Sequence, residues 1–314
     1  MKKYILVISV FTFVLSSTLY GQQNKMLTHF IFDKMTVNPG STGVGMKEGF
    51  CGTSIYRNQW DRVAGAPNSA LLNIEGNFER YLPGGIGLSF FHDAIGVARQ
   101  NNLLLNYSYH FDLPSGTLGA GIGLGIMSFG MNNAEWVTPD NNPNDQSLPQ
   151  AMTEIALDAN FGVYYSDKQG WYAGLSMMNL PTSEYEMLNF QNQRHYYIMG
   201  GYRLASPFGG DLAPLDLDFN MMTRTDMVKT SLDLNVRAIW QDLFWAGFSY
   251  RTVDALGIMA GMQITQEFLI GYSYDINMFN KFSNISRGSH ELLVRYCYLL
   301  PPPPVTKSRN PRYL

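Results

Sequence analysis

The chain has 314 residues, a formal net charge of −3, 46% hydrophobic residues and only 15% charged ones. A soluble domain usually carries about 25% charged residues and a nucleic-acid-binding domain is usually basic, so neither class fits, and no nucleic-acid partner is expected. Beyond the first 20 residues no run of about 20 apolar residues offers a helical membrane span.

Lys2 and Lys3 precede an apolar run from about Ile5 to Leu15, and small and polar residues then lead to Gly21 and Gln22. That is the charge, core and cleavage layout of a secretory signal, expected over residues 1–21. Its removal takes Lys2 and Lys3 with it and leaves a net charge of −5. Residues 22–47 contain Met26, Phe30, Ile31 and Phe32 but no regular strand pattern.

From Phe50 to Leu299 the sequence falls into stretches of roughly ten residues that alternate apolar with polar or glycine residues, the pattern of a transmembrane β-barrel. Leu118, Ala120, Ile122, Leu124 and Ile126 alternate with Gly119, Gly121, Gly123, Gly125 and Met127, one face apolar and the other nearly bare. Fourteen antiparallel strands are predicted: Phe50–Gln59, Ala70–Gly76, Ile86–Phe91, Leu103–His110, Thr117–Ser128, Glu154–Tyr165, Trp171–Met178, His195–Arg203, Leu215–Met222, Thr230–Trp240, Phe244–Arg251, Leu256–Ile264, Phe268–Asp275 and Ser289–Tyr298. The expected organisation is a barrel over residues 48–299 and a tail over 300–314. An even strand count puts both barrel ends on one side, expected to be periplasmic. Short turns at Asp112–Ser115, Asp167–Gln169, Gln241–Asp242 and Thr265–Gln266 then fall on that side, and the long links Gly130–Ala151, Leu180–Gln193 and Ile276–Gly288 fall on the other. Trp171, Trp240 and Phe244 are expected on the outer wall near the short turns, where aromatic side chains meet lipid headgroups.

The opposite strand faces carry Glu154, Asp158 and Asn160; Asp216, Asp218 and Asn220; Asp233, Asn235 and Arg237; Glu291 and Arg295. Charges facing lipid would cost several kcal/mol each, so they are assigned to the lumen, as a paired network or as a conduction path. Inward glycines at Gly85, Gly87, Gly121, Gly123, Gly174, Gly247, Gly257 and Gly261 leave room that a lumen filled by its own wall would not need. Residues 22–47 are expected to fold into that room as a plug.

Several stretches then carry a family resemblance. Thr28-His29-Phe30 with Val37-Asn38-Pro39-Gly40, Tyr56-Arg57-Asn58-Gln59-Trp60 with Gly65-Ala66-Pro67, Gly271-Tyr272-Ser273-Tyr274-Asp275, and Gly288-Ser289-His290-Glu291-Leu292 resemble the PorP/SprF family of Bacteroidota outer-membrane proteins in order and spacing over nearly the whole mature chain. The chain departs from the family pattern at Asp33-Lys34, where Asn-Pro or similar is expected. The resemblance implies a non-enzymatic barrel of the type IX secretion and gliding-motility machinery. It further implies a secreted or surface-anchored, adhesin-like cargo with a C-terminal secretion signal, and contact with periplasmic lipoprotein or ring components; the membrane supplies the lipid.

Candidate partner-binding residues follow from these stretches. Tyr56, Arg57, Asn58, Gln59 and Trp60 end the first strand at the extracellular rim, Gly65, Ala66 and Pro67 shape the loop after it, and Ser289, His290 and Glu291 open the last strand beside it. Two readings are open for this rim, a cargo contact or a loop anchor that sets barrel closure, and an Arg57–Glu291 pair is expected from closure. Pro301 to Pro304 form a stiff polyproline spacer before Lys307, Arg309 and Arg312, a basic end expected to meet a periplasmic component. Cys51 and Cys297 come near each other on closure and are expected as two free or merely adjacent thiols. His29, His92, His110, His195 and His290 are scattered without a nucleophile setting, so no enzyme is expected. Asp140-Asn141-Asn142-Pro143-Asn144-Asp145 lacks the spacing of a calcium loop, so no metal or cofactor is expected. The alternative function is an outer-membrane channel or transporter for small or hydrophobic solutes.

Overall fold

Alternation along each strand determines what the wall can enclose: one residue set faces lipid and the other faces inward. The computed structural model describes residues 25–131, 152–185, 190–209, 214–252, 254–278 and 285–301. It shows β1 (Gly49–Asn58), β2 (Asn68–Asn77), β3 (Gly85–Ile95), β4 (Ala98–Leu113), β5 (Gly116–Met131), β6 (Met152–Asp167) and β7 (Trp171–Met178). A small hairpin, β8 (Glu184–Tyr185) and β9 (Phe190–Gln191), follows. The wall resumes with β10 (His195–Leu204), β11 (Leu215–Thr225), β12 (Thr230–Trp240), β13 (Phe244–Arg251), β14 (Ala255–Gln263), β15 (Phe268–Asn277) and β16 (Ser289–Leu299).

The fourteen wall strands form one closed barrel in which each strand pairs with its sequence neighbours and β1 closes on β16. The closing seam is antiparallel and runs from Gly49 opposite Leu299 to Asn58 opposite His290. Every expected strand is present. Several extend further than expected: β4 begins at Ala98 rather than Leu103, because the ladder continues through polar residues after the apolar alternation has stopped. The lipid-facing set is apolar and exposed, as with Leu103, Leu105, Tyr109, Phe111 and Leu113 on β4 and Ile122, Leu124 and Ile126 on β5. Trp171 and Phe244 are exposed, and Trp240 pairs with Phe244 across the β12–β13 turn.

The core of the molecule lies in the lumen. Residues 25–47 run through it from the loop end to the turn end, where they join β1. Phe30, Ile31 and Val37 of this segment pack with Tyr197, Met199, Met222, Trp245 and Met259 of the wall, and Leu27 packs with Ile55, Leu71, Phe91 and Leu293. Two short 3-10 turns, Phe30–Phe32 and Pro39–Ser41, supply the curvature, the second capped by the Asn38 side chain, which accepts from the Gly40 amide at 2.9 Å.

Inward glycines admit this segment. A Cβ at Gly87 would overlap Met35 Sδ, one at Gly121 the Pro39 carbonyl, and one at Gly162 Asn38 Oδ1. Gly123, Gly247, Gly257 and Gly261 stand apart: their nearest atoms belong to wall residues, among them Asn106, Arg237, Asp275 and Trp245.

One expectation is corrected. Cys51 and Cys297 are joined in a disulfide rather than standing as free or merely adjacent thiols. They are directly opposed in the β1–β16 register, so the ladder that closes the barrel also presents the two sulfurs to each other. The Asx-rich stretch at 140–145, the signal at 1–21 and Lys307, Arg309 and Arg312 lie outside the described residues.

Candidate functional site

Buried backbone N–H and C=O groups need partners. Turn bonds within the luminal segment supply some of them, such as Phe32 N to the His29 carbonyl, Asn38 N to the Lys34 carbonyl and Val44 N to the Ser41 carbonyl, and wall residues supply others. Starting at the loop end, Arg224 donates to the Lys25 carbonyl at 2.8 Å. The Glu291 carboxylate then accepts the Thr28 amide at 2.9 Å, the His29 amide at 2.7 Å and pairs with His29 Nδ1 at 2.7 Å. Arg295 donates to the Phe32 carbonyl at 3.1 Å, and Asn73 donates to Asp33 Oδ1 and Thr36 Oγ1, both at 2.6 Å. Farther down, Asn38 donates to the Val163 carbonyl, Ser108 to the Gly40 carbonyl, and the Gly43 amide to Glu75. His110 Nε2 lies 2.9 Å from the Thr42 carbonyl.

The anchor at Thr28 and His29 is part of a wider buried network across the seam. Arg57 on β1 reaches Glu291 on β16 at 3.0 Å and Asp275 on β15 at 2.7 Å, and it also donates to Thr28 Oγ1, which in turn donates to Asp275. Arg251 pairs with Asp233 at 2.5 Å and lies 4.0 Å from Asp275, and Arg224 closes on Asp233 at 3.0 Å. Arg57 and Glu291 are each 1% exposed. The expected Arg57–Glu291 pair is therefore present, and it holds the luminal segment as well as the seam.

Other inward charges have neutral partners, as where Asn102 donates to Asp158, and two further ion pairs stand on the inward face. Arg237 binds Asp218 at 2.5 Å and stacks over Phe32, while Arg203 binds Asp216 at 2.7 Å. A buried pair of this kind contributes little net stability, because desolvation offsets the attraction, but removal of one partner is costly. Asp33 and Lys34, the departure from the family pattern, are both used inside. Thr36 donates to Asp33, and Lys34 sits 3.8 Å over the Tyr172 ring and donates to Tyr164 Oη at 3.1 Å.

At the rim, the loop after β1 is fixed by its backbone. Gln59 N donates to the Pro67 carbonyl, Asp61 N to the Gly288 carbonyl, Arg287 N to the Asp61 carbonyl and Gly96 N to the Gly65 carbonyl. Trp60 N donates to Ser289 Oγ at 3.1 Å. Arg57, Gln59, Pro67, Ser289 and Glu291 are buried, whereas Tyr56, Asn58, Trp60, Gly65, Ala66 and His290 keep accessible surface. His290 Nδ1 lies 2.6 Å from Tyr272 Oη on the outer wall. Beneath the loop is a cleft of about 320 Å³ lined by residues that include Asn58, Asp61, Arg62, Asn68 and Arg99.

Sequence reasoning placed neither Thr28, His29 nor Asp275 among the site residues, although all three lie in the stretches that carry the family resemblance. Trp245 was also missed. It is 6% exposed and packs edge-on to His29 at 5.8 Å; its inward position follows from the outward Phe244 beside it, and Gly261 and Gly271 make room for its indole.

A closed fourteen-strand sheet with an apolar exterior and its core inside defines a β-barrel protein of the outer membrane. A family model described as type IX secretion system membrane protein PorP/SprF matches residues 19–296, and the chain belongs to that family. No curated protein matches the chain. Among solved structures it is similar to the CymD monoaromatic hydrocarbon channel, with a TM-score of 0.54 and 11% identity over 90% of this chain and 95% of that one. It is also similar to the Ralstonia pickettii toluene transporter TbuX, with a TM-score of 0.50 and 10% identity over 90% and 96%. Omp33 of Acinetobacter baumannii aligns with a TM-score of 0.47 and 6% identity over 82% and 100%. At these identities the likeness is one of fold.

Proposed function

We propose that this barrel is a non-enzymatic scaffold of the type IX secretion and gliding machinery. Its loop side holds a secreted or surface-anchored cargo protein bearing a C-terminal secretion signal. Its turn side and the tail at 300–314 connect to periplasmic lipoprotein or ring components. The observation that carries this reading is the occupied lumen: residues 25–47 are bonded to the wall from Arg224 at one end to Asn77 at the other. A barrel filled in this way offers surfaces rather than a passage. The hydrocarbon channel and toluene transporter share the fold, and the corresponding role here, conduction of small or hydrophobic solutes, would require the luminal segment to leave.

Among the rim residues, Trp60, Gly65 and Ala66 keep surface on the loop itself, Tyr56, Asn58 and His290 stand on the outward face of the wall beside it, and Arg57, Gln59, Ser289 and Glu291 are buried. The test is a pull-down of the tagged native protein in mild detergent, followed by mass spectrometry. Recovery of a large secreted protein together with type IX components is the expected result; a protein that comes alone would overturn the scaffold reading.

A further inference from the structure

The cleft beneath the rim loop lies on the lipid side of the wall. Arg57 points into the lumen, so Asn58 points outward, and the register carries that face through Asn68 on β2 and Ala94 on β3 to Arg99 on β4. These four residues form one outward row, and the loop residues Asp61 and Arg62 close over it.

Its height follows from the apolar belt. On β4 the outward set runs from Leu103 to Leu113, which spans about 26 Å along the membrane normal at ~3.4 Å per residue and a tilt of ~40°. That matches the apolar band of about 25 Å expected of such barrels. Arg99 lies four residues beyond Leu103, or about 10 Å farther along the normal, in the polar layer outside the hydrocarbon.

The cleft has the chemistry of that layer. Arg62 is exposed, Arg99 uses one Nη to donate to the Gly96 and Ala98 carbonyls and keeps further donors, and Asn58 and Asn68 add amides. One carboxylate, Asp61, stands against two guanidinium groups, and arginine forks match phosphate oxygens in two-point contacts. The backbone bonds that tie Asp61 to Gly288 and Gly65 to Gly96 hold the cleft open before any ligand arrives. We propose that this cleft binds the phosphate of a lipid headgroup in the leaflet on the loop side.

The test is native mass spectrometry of the full-length mature protein in mild detergent, with added diphosphorylated lipid A, phosphatidylglycerol or dephosphorylated lipid A. The wild type is expected to retain one phosphorylated lipid, and Arg62→Gln/Arg99→Gln to bind it at least about tenfold more weakly, while Arg80→Gln at the turn end binds as the wild type does. Preference for lipid A over phosphatidylglycerol, or the reverse, identifies which phosphate lipid is the source. Arg62→Gln alone, with heat-modifiable migration as the check on folding, serves if the double variant does not assemble. Equal retention by the double variant, or equal retention of the dephosphorylated lipid, would overturn the proposal. So would binding of an acidic secreted protein at this cleft with no phosphate lipid retained.

Discussion

Replacing Glu291 by Gln isolates the anchor of the luminal segment. The change keeps shape and volume but removes the charge that accepts the Thr28 and His29 amides and faces His29 Nδ1 and Arg57. Breaking a buried pair costs about 3–5 kcal/mol when the other charge is left alone. Arg57 retains Asp275 at 2.7 Å, which places the cost near the lower end. The Gln amide also presents N–H donors to a group of donors, where a hydrogen bond to a charged acceptor had contributed about 1.5–3 kcal/mol. A loss of ~3 kcal/mol is therefore expected, and it falls on the segment rather than the wall, whose fourteen-strand ladder is untouched. Amide hydrogen exchange reads this directly. Thr28 and His29 should exchange about 10²-fold faster in Glu291→Gln, since each 1.4 kcal/mol is about tenfold, while amides of β4 and β5 keep their protection. Unchanged exchange at Thr28 and His29 would refute the anchoring role of Glu291.

Gly121→Val should force the segment off the wall, because its Cβ would meet the Pro39 carbonyl and Gly40 amide; overpacking of about 1–3 kcal/mol is expected to appear as faster exchange across residues 37–43. Alkylation of denatured protein should add nothing without reductant and two groups with it, given the Cys51–Cys297 bridge, and Cys51→Ser/Cys297→Ser should still close, because the seam ladder remains.

The wall was legible in the sequence because a lipid-facing strand has one physical requirement, an apolar residue at every second position, and Leu118 to Ile126 satisfy it without interruption. The same rule fails above the membrane. Arg99 to Asn101 continue β4, and nothing in their polarity separates strand from loop. The hairpin Glu184–Tyr185 with Phe190–Gln191 was invisible because two-residue strands carry no period. The inward glycines announced unfilled space, but which segment atoms approach Gly87, Gly121 and Gly162 depends on two 3-10 turns that no alternation encodes. The disulfide required the seam register to a single residue: a slip of one would turn Cys297 away from Cys51. At the candidate site, the Arg57–Glu291 pair followed from closure alone, whereas the partners Thr28, His29 and Asp275 depended on the path of the luminal segment.

A sealed lumen is what separates a scaffold from a channel, so planar-bilayer conductance of the purified full-length protein is the most direct measurement, with a deletion of residues 25–47 as the comparison. The intact protein should show no steady conductance and the deletion variant should conduct. A steady open pore from the intact protein would contradict the scaffold account and favour solute transport.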